Sequence, residues 1–119
     1  MVINTDNING YAYARVSGSI TGADVDMYNS FIDERLSDGS RIFIINLKDV
    51  RDIDAQGMQM LLSSRNKINE VAGRFILCGV DNIALTLYRA RRYYLFEIFD
   101  TEADACEEVG APLPKFVAC

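Results

Sequence analysis

The sequence predicts an α/β fold, in which a mixed β-sheet of about five strands packs against about four helices. Strand-like and helix-like segments alternate in the order β-β-α-β-α-β-α-β-α, which favours parallel strands joined by helical crossovers. Two strand-like segments, residues 41–47 and 74–80, are almost continuously apolar, as strands covered on both faces are. The chain has 119 residues, of which 50% are hydrophobic, so these segments are expected to form one domain.

The first two strands are predicted to form a hairpin. Residues 2–5 have strand character and are followed by Asn9 and Gly10, a pair that supplies the positive φ angles of a tight hairpin turn. Residues 11–16 then alternate in side-chain character, as a half-buried strand does. Gly18 is expected to end this second strand.

A helix cap precedes the first predicted helix. Thr21 is a good N-cap residue, and Asp24, three residues later, completes an acidic variant of the capping box. The helix is predicted to run to about Leu36, where residues 37–40 end it. Its apolar side chains recur every three to four residues and form one stripe. They belong to Val25, Tyr28, Phe31, Ile32 and Leu36.

The central strand and the second helix come next. The apolar residues 41–47 predict a strand buried on both faces. Residues 48–54 are mostly charged and predict a loop. After Gly57 a helix is expected to run to about Val71 and to stop at Gly73.

The last third of the chain repeats the alternation of strands and helices. After the second apolar strand, Asp81 is expected to cap a third helix over residues 82–92. Residues 96–99 contain one charged position and predict a short strand at an edge of the sheet. Thr101 is then expected to cap a last helix, which ends near Val109.

Residues 1–109 are predicted to form the domain, and residues 110–119 a short tail that docks on it. Three cysteines, Cys78, Cys106 and Cys119, match no zinc or redox spacing. Cys78 is expected to be buried, whereas Cys119 is expected to be exposed and able to form a disulfide between chains. With reduced thiols, no signal-like start and no apolar run of about 20 residues, the sequence predicts a cytoplasmic protein without membrane insertion.

The composition argues against several classes of function. The chain has no histidine, so the usual general base and the commonest metal ligand are missing. We find no phosphate-binding loop, dinucleotide fingerprint, nucleophile elbow or metal-spaced His/Cys motif. Twelve basic and seventeen acidic residues give a net charge of −5, which disfavours nucleic acid as the main partner. We therefore expect no catalysis, no cofactor and no bound metal.

Two segments have both a functional and a structural interpretation. Asp49, Asp52 and Asp54 could hold a hard cation such as Mg²⁺. They could equally form a solvated loop in which Asp54 interacts with the dipole of the following helix. The strand-to-helix junction at residues 78–81 could present backbone amides to a phosphate, but a carboxylate at Asp81 opposes an anion there. In both segments the structural interpretation is favoured.

One basic cluster stands out in the acidic chain. Arg89, Arg91 and Arg92 are followed by two tyrosines at residues 93–94, a combination that can bind phosphates or stack on bases. The structural alternative is that positive charge favours the last turn of a helix. Residues 97–108 contain six acids and no base, and they are expected to neutralise the arginines. The structural alternative is again the favoured one.

The order of features in residues 42–62 is distinctive. An apolar strand ends in Asn-Leu-Lys-Asp, a short loop leads to Ile-Asp-Ala-Gln-Gly-Met, and a helix with paired leucines follows. This order resembles the STAS domain of bacterial anti-sigma factor antagonists, which is also found in sulfate transporters. Gly18, residues 77–80 and residues 95–99 add further similarity. The resemblance covers essentially residues 2–108 and implies the STAS fold.

The resemblance also implies a function. Proteins of that family bind a partner, typically a serine kinase that acts as an anti-sigma factor, and so release a sigma factor. Their switch is a Ser or Thr directly after the Asp of the turn, and its phosphorylation ejects the partner. Here the positions after Asp54 are Ala55 and Gln56, which accept no phosphoryl group and carry no charge. The family's acidic residue after the first glycine is also replaced, by Thr21, with Asp24 one turn later.

We expect a partner-binding surface around the start of the second helix, locked in its unmodified form. Asp54 would orient the turn and cap the helix, and Gly57 would let a partner backbone approach closely. Met58 or Met60 would supply an adaptable apolar contact, although packing in the core is the alternative for each. The expected surface comprises Thr21, Asp24, Asp54, Ala55, Gln56, Gly57, Met58 and Met60.

Two other functions remain open on the sequence. The chain could be a scaffold or accessory subunit of a stress-sensing complex or of a lipid or anion transporter, as related STAS domains are. It could also be a nucleotide or small-ligand sensor that uses residues 54–57 and residues 89–92. As a binding module it is expected to be a monomer or a weak homodimer.

Overall fold

The computed structural model describes residues 1–116 and has the predicted order of elements. The strands are β1 (Val2–Ile8), β2 (Tyr11–Ile20), β3 (Ile42–Ile53), β4 (Arg74–Cys78) and β5 (Glu97–Phe99). The helices are α1 (Val25–Ser37), α2 (Ala55–Glu70), α3 (Ala84–Arg89) and α4 (Glu102–Val109). Short 3-10 turns, Gly22–Asp24 and Tyr93–Leu95, precede α1 and β5. The fold class predicted from the sequence is confirmed.

The five strands form one mixed sheet in the order β1-β2-β3-β4-β5. β1 and β2 are antiparallel and are joined by the predicted turn, in which Asn9 and Gly10 both have positive φ angles. β2, β3, β4 and β5 are parallel neighbours, so a helical crossover connects each pair. β5 pairs only with β4 and lies at an edge, as its charged residue predicts.

The two faces of the sheet carry different helices. Because successive side chains of a strand point to opposite faces, Phe43 and Ile45 of β3 join the main core with side chains of α1, α2 and α3. Ile44 of the same strand joins a smaller cluster under α4, which contains Cys78 and Cys106. The sheet is therefore covered on both faces, as the continuous apolar runs predict.

β2 and β3 extend further than the sequence predicts. β2 continues through Gly18 to Ile20, and β3 continues through the segment expected to be a loop, residues 48–54, as far as Ile53. The register between the two strands shifts twice, between Arg15 and Ser17 and between Gly18 and Ser19. At each bulge an extra residue changes which face the next side chain points to. Gly18, at φ +86°, lies at the second bulge rather than at a strand end.

The start of α3 also differs from the prediction. Asp81 does not cap this helix, because Val80 and Ile83 are both buried and the backbone turns between them before the helix begins. α3 therefore starts at Ala84, and its N-cap position is occupied by Ile83 without a side-chain hydrogen bond. β4 accordingly ends at Cys78, two residues before the predicted end.

The tail packs on the sheet as far as residue 116. The Tyr13 hydroxyl donates to the Pro112 carbonyl, and the Phe116 ring lies 4.2 Å from the Arg15 guanidinium. Phe116 is half-buried against the smaller cluster under α4. Burial raises the pKa of Tyr13 to about 12, with smaller contributions from nearby Cys106 and carboxylates.

The cysteines that the structure describes are buried free thiols. Cys78 is fully buried, as predicted, and its pKa is raised to about 12 chiefly by that burial. Cys106 is also buried and free, and burial raises the pKa of its thiol. The interchain disulfide predicted at Cys119 lies outside the described residues. Among residues 1–116, no helix is both long and apolar enough to cross a membrane.

Candidate partner-binding site

The long β2–β3 pair positions the predicted surface. Ile20 and Ile53 are register partners at the ends of their strands, and the Asp54 backbone N–H donates to the Ile20 carbonyl at 3.1 Å. The turns that follow the two strands therefore begin side by side. Thr21 opens one turn and Asp54 the other, so the structure brings together the two segments on which the sequence placed the partner site.

Asp54 caps helix α2. Its Oδ1 accepts the Gly57 backbone N–H at 2.7 Å, which satisfies one of the amides that a helix leaves unpaired at its start. The helix begins at Ala55, earlier than the predicted start after Gly57. Its first turn contains no acidic residue beyond the cap. Asp54, Ala55 and Gln56 are all exposed.

Thr21 and Asp24 form the predicted capping box at the 3-10 turn before α1. Asp24 Oδ2 accepts the Thr21 backbone N–H at 2.8 Å, and Thr21 Oγ1 accepts the Ala23 N–H at 3.3 Å. The Met1 ammonium group lies 3.3 Å from Asp24 Oδ1. The Thr21 backbone hydrogen bond is the main reason that the pKa of Asp24 lies below its ordinary value. Both residues therefore fix the shape of the turn.

Gly57 has a different role from the one expected. It is buried, and a Cβ atom at this position would lie 2.7 Å from the Ile20 carbonyl oxygen and 2.9 Å from Ile53 Cγ1. The close approach that the glycine allows is made by the chain's own β2 and β3. Gly57 thus sets helix α2 against the sheet, and the expectation that it admits a partner backbone is wrong.

Gln56 links the two turns across the surface. A Cβ atom on Gly22 would lie 1.8 Å from Gln56 Oε1 and 3.2 Å from Gln56 Cβ, so the glutamine side chain occupies the space beside the glycine. The two turns therefore form one continuous surface, on which a side chain at position 22 would displace the Gln56 amide group.

A shallow groove of about 280 Å³ lies beside Gln56, between α1 and α2. Met60 is only 4% exposed and contributes to its floor, while Met58 is half-buried against the main core. Neither methionine projects freely from the surface, so both pack largely as the structural alternative predicted. Sequence reasoning missed the other groove residues, although their three- to four-residue spacing marks one face of each helix. They are Gly22, Val25, Asn29, Gln59 and Ser63.

The comparison with protein families identifies the fold family of this chain. The model of the STAS domain matches residues 2–105, which includes both turns of the surface and all five strands. The chain belongs to the STAS domain family. No curated protein matches the sequence significantly.

Solved STAS domains share the architecture at low sequence identity. An anti-sigma factor antagonist from Mycobacterium paratuberculosis is 19% identical, with a TM-score of 0.77 over 92% of this chain and 93% of that one. The anti-sigma factor antagonist SpoIIAA of Bacillus, in its unphosphorylated form, is 20% identical, with a TM-score of 0.75 over 93% and 100%. A sulfate transporter family protein from Wolinella succinogenes is 20% identical, with a TM-score of 0.77 over 88% of each chain. At identities this low, the structural similarity establishes a common fold and no more.

The carboxylates of this STAS domain do not gather into a metal site. Asp49 and Asp52 are exposed on β3 and Asp54 follows the strand. Within residues 1–116, no group of three His, Cys, Asp or Glu side chains is close enough together to hold a metal ion. The loop expected at these aspartates is wrong, since Asp49 and Asp52 lie on β3, whereas Asp54 does lie at the start of the following helix.

A larger cleft of about 650 Å³ lies beside the start of α4, next to the middle of β3 and the end of β4. Arg15 donates to both carboxylate oxygens of Glu102, at 2.7 and 3.1 Å, and Asn46 donates to the same group. Burial raises the pKa of Glu102, but these hydrogen bonds outweigh burial and hold it below its ordinary value. The cleft contains four carboxylates and two cations, which disfavours a phosphate ligand. These groups are Arg15, Lys48, Asp49, Asp81, Asp100 and Glu102.

The arginine cluster of this STAS domain lies apart from the groove and the cleft described above. Residues 89–92 line neither the groove beside α2 nor the cleft beside α4. Neither cavity therefore supports the small-ligand alternative, which combined residues 54–57 with residues 89–92.

Proposed function

We propose that this STAS domain is a protein-binding regulatory module of the anti-sigma factor antagonist kind. Its partner would be a serine kinase-like anti-sigma factor, which binds the surface formed by the β2–α1 turn and the first turn of α2. Family membership over residues 2–105 and the fold shared with two anti-sigma factor antagonists support this proposal. We place this non-catalytic role in the reducing cytoplasm, with which the free thiols of Cys78 and Cys106 agree.

One observation carries the proposal, namely the exposed first turn of α2 with Ala55 at its first position. The family resemblance implies that antagonists carry a Ser or Thr directly after the Asp of this turn, and its phosphorylation would add nearly two negative charges. Here a methyl group is presented to solvent at a helix start that has no acidic residue beyond its Asp54 cap. The surface would therefore stay in its partner-competent form without needing a phosphatase.

The groove beside Gln56 supports the same surface. A partner that covers Ala55 would also reach the groove of about 280 Å³ between α1 and α2. Its floor is apolar where Met60 and Val25 contribute, and its rim carries the amide and hydroxyl groups of Asn29, Gln59 and Ser63. Such a combination of an apolar centre and a polar rim is typical of protein interfaces.

The test uses a carboxylate in place of the missing phosphate. Each serine kinase-like anti-sigma factor of the same genome is titrated with the full chain by calorimetry, and one is expected to bind. Ala55→Glu is expected to weaken that binding by about tenfold or more, since an unpaired charge in an interface is costly. Ala103→Glu is the matched control, because Ala103 is also an exposed alanine in the first turn of a helix.

The outcomes separate the proposal from its alternatives. Equal losses for Ala55→Glu and Ala103→Glu, or no binding by any such kinase, would reject it. Phosphorylation of the wild-type chain by the bound kinase at Thr21 or Ser63, detected by intact mass, would reject a permanently unmodified surface. A large multi-subunit particle formed with other STAS proteins would favour the scaffold alternative instead.

A further inference from the structure

A second surface of this chain, independent of the proposed kinase site, lies on α3 and the turn that follows it. Three tyrosines form a contiguous cluster there: Tyr88 stacks on Tyr93 with ring centroids 4.1 Å apart, and Tyr94 meets both rings edge-on at 5.6 Å. Tyr94 is 81% exposed and Leu85 59% exposed. We define the arginine–tyrosine patch as Leu85, Tyr88, Arg89, Arg91, Arg92 and Tyr94.

The arginines of this patch have no counter-ions of their own. Among residues 1–116, no carboxylate lies within salt-bridge distance of Arg89, Arg91 or Arg92. Three of the six acids expected to neutralise them pair elsewhere, since Glu102 binds Arg15 and both Glu97 and Glu108 bind Arg74. The sequence-based expectation of local neutralisation is therefore wrong, and three positive charges stay uncompensated in a chain of net charge −5.

Arg91 occupies a backbone position at which glycine would be more stable. It has φ +57°, and the helix end is a Schellman motif, in which Arg91 N–H bonds to the Tyr88 carbonyl and Arg92 N–H to the Leu87 carbonyl. Side chains other than glycine are strained in this left-handed conformation by about 1 kcal/mol. An arginine held there, and left without an internal partner, points to a use outside the domain.

The same chain carries a surface of complementary charge. Edge strand β5 and helix α4 line an open acidic hollow of about 540 Å³. Within the described part of the chain, Asp100, Asp104 and Glu107 make no ion pair. Ile98 and Phe99, both half-buried, supply apolar surface in the same hollow. The acidic hollow is lined by Ile98, Phe99, Asp100, Asp104, Glu107 and Glu108.

We propose that the arginine–tyrosine patch of one copy docks on the acidic hollow of a second copy. Arginines with free donors can bind the unpaired carboxylates two hydrogen bonds at a time. The exposed Tyr94 supplies a rigid aromatic contact for the apolar part of the hollow, and Tyr and Arg are the residues most often central to interfaces. Because both surfaces are small and exposed, the association is weak and falls with salt.

The test is sedimentation of the full chain from micromolar to near-millimolar concentration, at low and at high salt. The wild type is expected to self-associate at low salt and to dissociate at high salt. Arg89→Glu/Arg91→Glu and Asp104→Lys/Glu107→Lys are each expected to raise the dissociation constant by about tenfold or more. Mixing the two variants is expected to restore association, because each then meets the opposite charge. Both variants remain negative overall, so general attraction does not explain a recovery.

Arg91→Gly separates the interface from folding. It removes the side chain and relieves the positive-φ strain, so its melting temperature is expected to match or exceed that of the wild type while self-association falls. A chain that is monomeric throughout, or a dimer that ignores both charge reversals, would overturn the proposal. So would a monomer that binds a labelled single-stranded RNA and loses this binding in Arg89→Glu/Arg91→Glu, since the patch would then serve a nucleic acid.

Discussion

At the scale of single residues, two neighbouring positions at the end of α2, Ala72 and Gly73, both favour glycine but for different reasons. Ala72 has φ +62°, and hydrogen bonds from Ala72 N–H to the Asn69 carbonyl and from Gly73 N–H to the Ile68 carbonyl form a Schellman motif. The left-handed position is thus Ala72 and not the glycine. Gly73, which the sequence marks correctly as the stop, is needed because a Cβ there would lie 2.4 Å from the Arg41 carbonyl oxygen.

The pair gives a prediction with its own control. Ala72→Gly is expected to stabilise the domain by about 1 kcal/mol, because it removes a Cβ from the left-handed region. Gly73→Ala is expected to destabilise it, because the added methyl meets backbone that cannot move aside. Urea denaturation of both variants measures the two free energies of unfolding. A stabilisation by Gly73→Ala, or none by Ala72→Gly, would contradict the assignment.

At the scale of elements, helix starts were predictable where capping is local. Thr21, Asp54 and Thr101 each accept a hydrogen bond from a backbone N–H within three residues, so a short sequence pattern contains the whole device. Asp81 is also a typical N-cap residue, but Val80 and Ile83 on either side of it are buried, and the chain turns between them before the helix begins. A capping residue therefore does not predict the helix start where the packing of its neighbours determines the backbone.

The extension of β3 shows the other limit of sequence patterns. Val50 and Ile53 are buried, with two exposed residues before each of them. The resulting spacing of three does not match the period of two that marks a strand. The two bulges in the β2–β3 register cause that spacing, and bulges are set by pairing between distant segments. This unpredicted extension places both turns of the candidate site.

The Thr21–Asp24 capping box should make the free energy of unfolding depend on pH in the acid range. The pKa of Asp24 is lowered in the folded chain, first by the Thr21 backbone hydrogen bond and then by the Met1 ammonium group. The stabilisation is therefore present above the ordinary pKa of an aspartate and is lost as the pH falls toward the lowered value. Asp24→Asn is expected to reduce the free energy of unfolding at neutral pH and to flatten its acid dependence.

A matched variant tests the same box without changing a charge. Thr21→Val removes the hydroxyl that accepts the Ala23 N–H and donates to Asp24 Oδ2, but keeps the backbone N–H that does most to lower the pKa of Asp24. It is expected to lower the free energy of unfolding by about 0.5–2 kcal/mol, as for a lost cap, and to keep most of the acid dependence. Urea denaturation across the acid range compares the slopes. If Asp24→Asn and the wild type lose stability in parallel, Asp24 does not carry the effect.

At the scale of the molecule, the sequence predicted the features that follow from the order and composition of its segments. It missed the contacts between residues that are far apart in the sequence. The fold class and the placement of Thr21 beside Asp54 followed from apolar strands, caps and the family resemblance. The groove at Gln56 did not, because it arises where two helices separated in sequence meet over Gly22. For the same reason, the sequence did not predict that Glu97 pairs with Arg74 rather than with residues 89–92.

The tail gives a last test, because it connects distant parts of the whole molecule. Residues 110–116 cover Tyr13, whose hydroxyl donates to the Pro112 carbonyl, and they place the Phe116 ring on Arg15. If residues 1–109 form the domain and the tail is an addition, a chain ending at Gly110 is expected to fold with a lower melting temperature. The pKa of Tyr13, about 12 in the covered state, should fall because burial is what raises it. Spectrophotometric titration of the tyrosines detects that fall, and a chain ending at Phe116 is the control that keeps the described contacts. Equal titration of the two chains would show that the tail does not cover Tyr13 in solution.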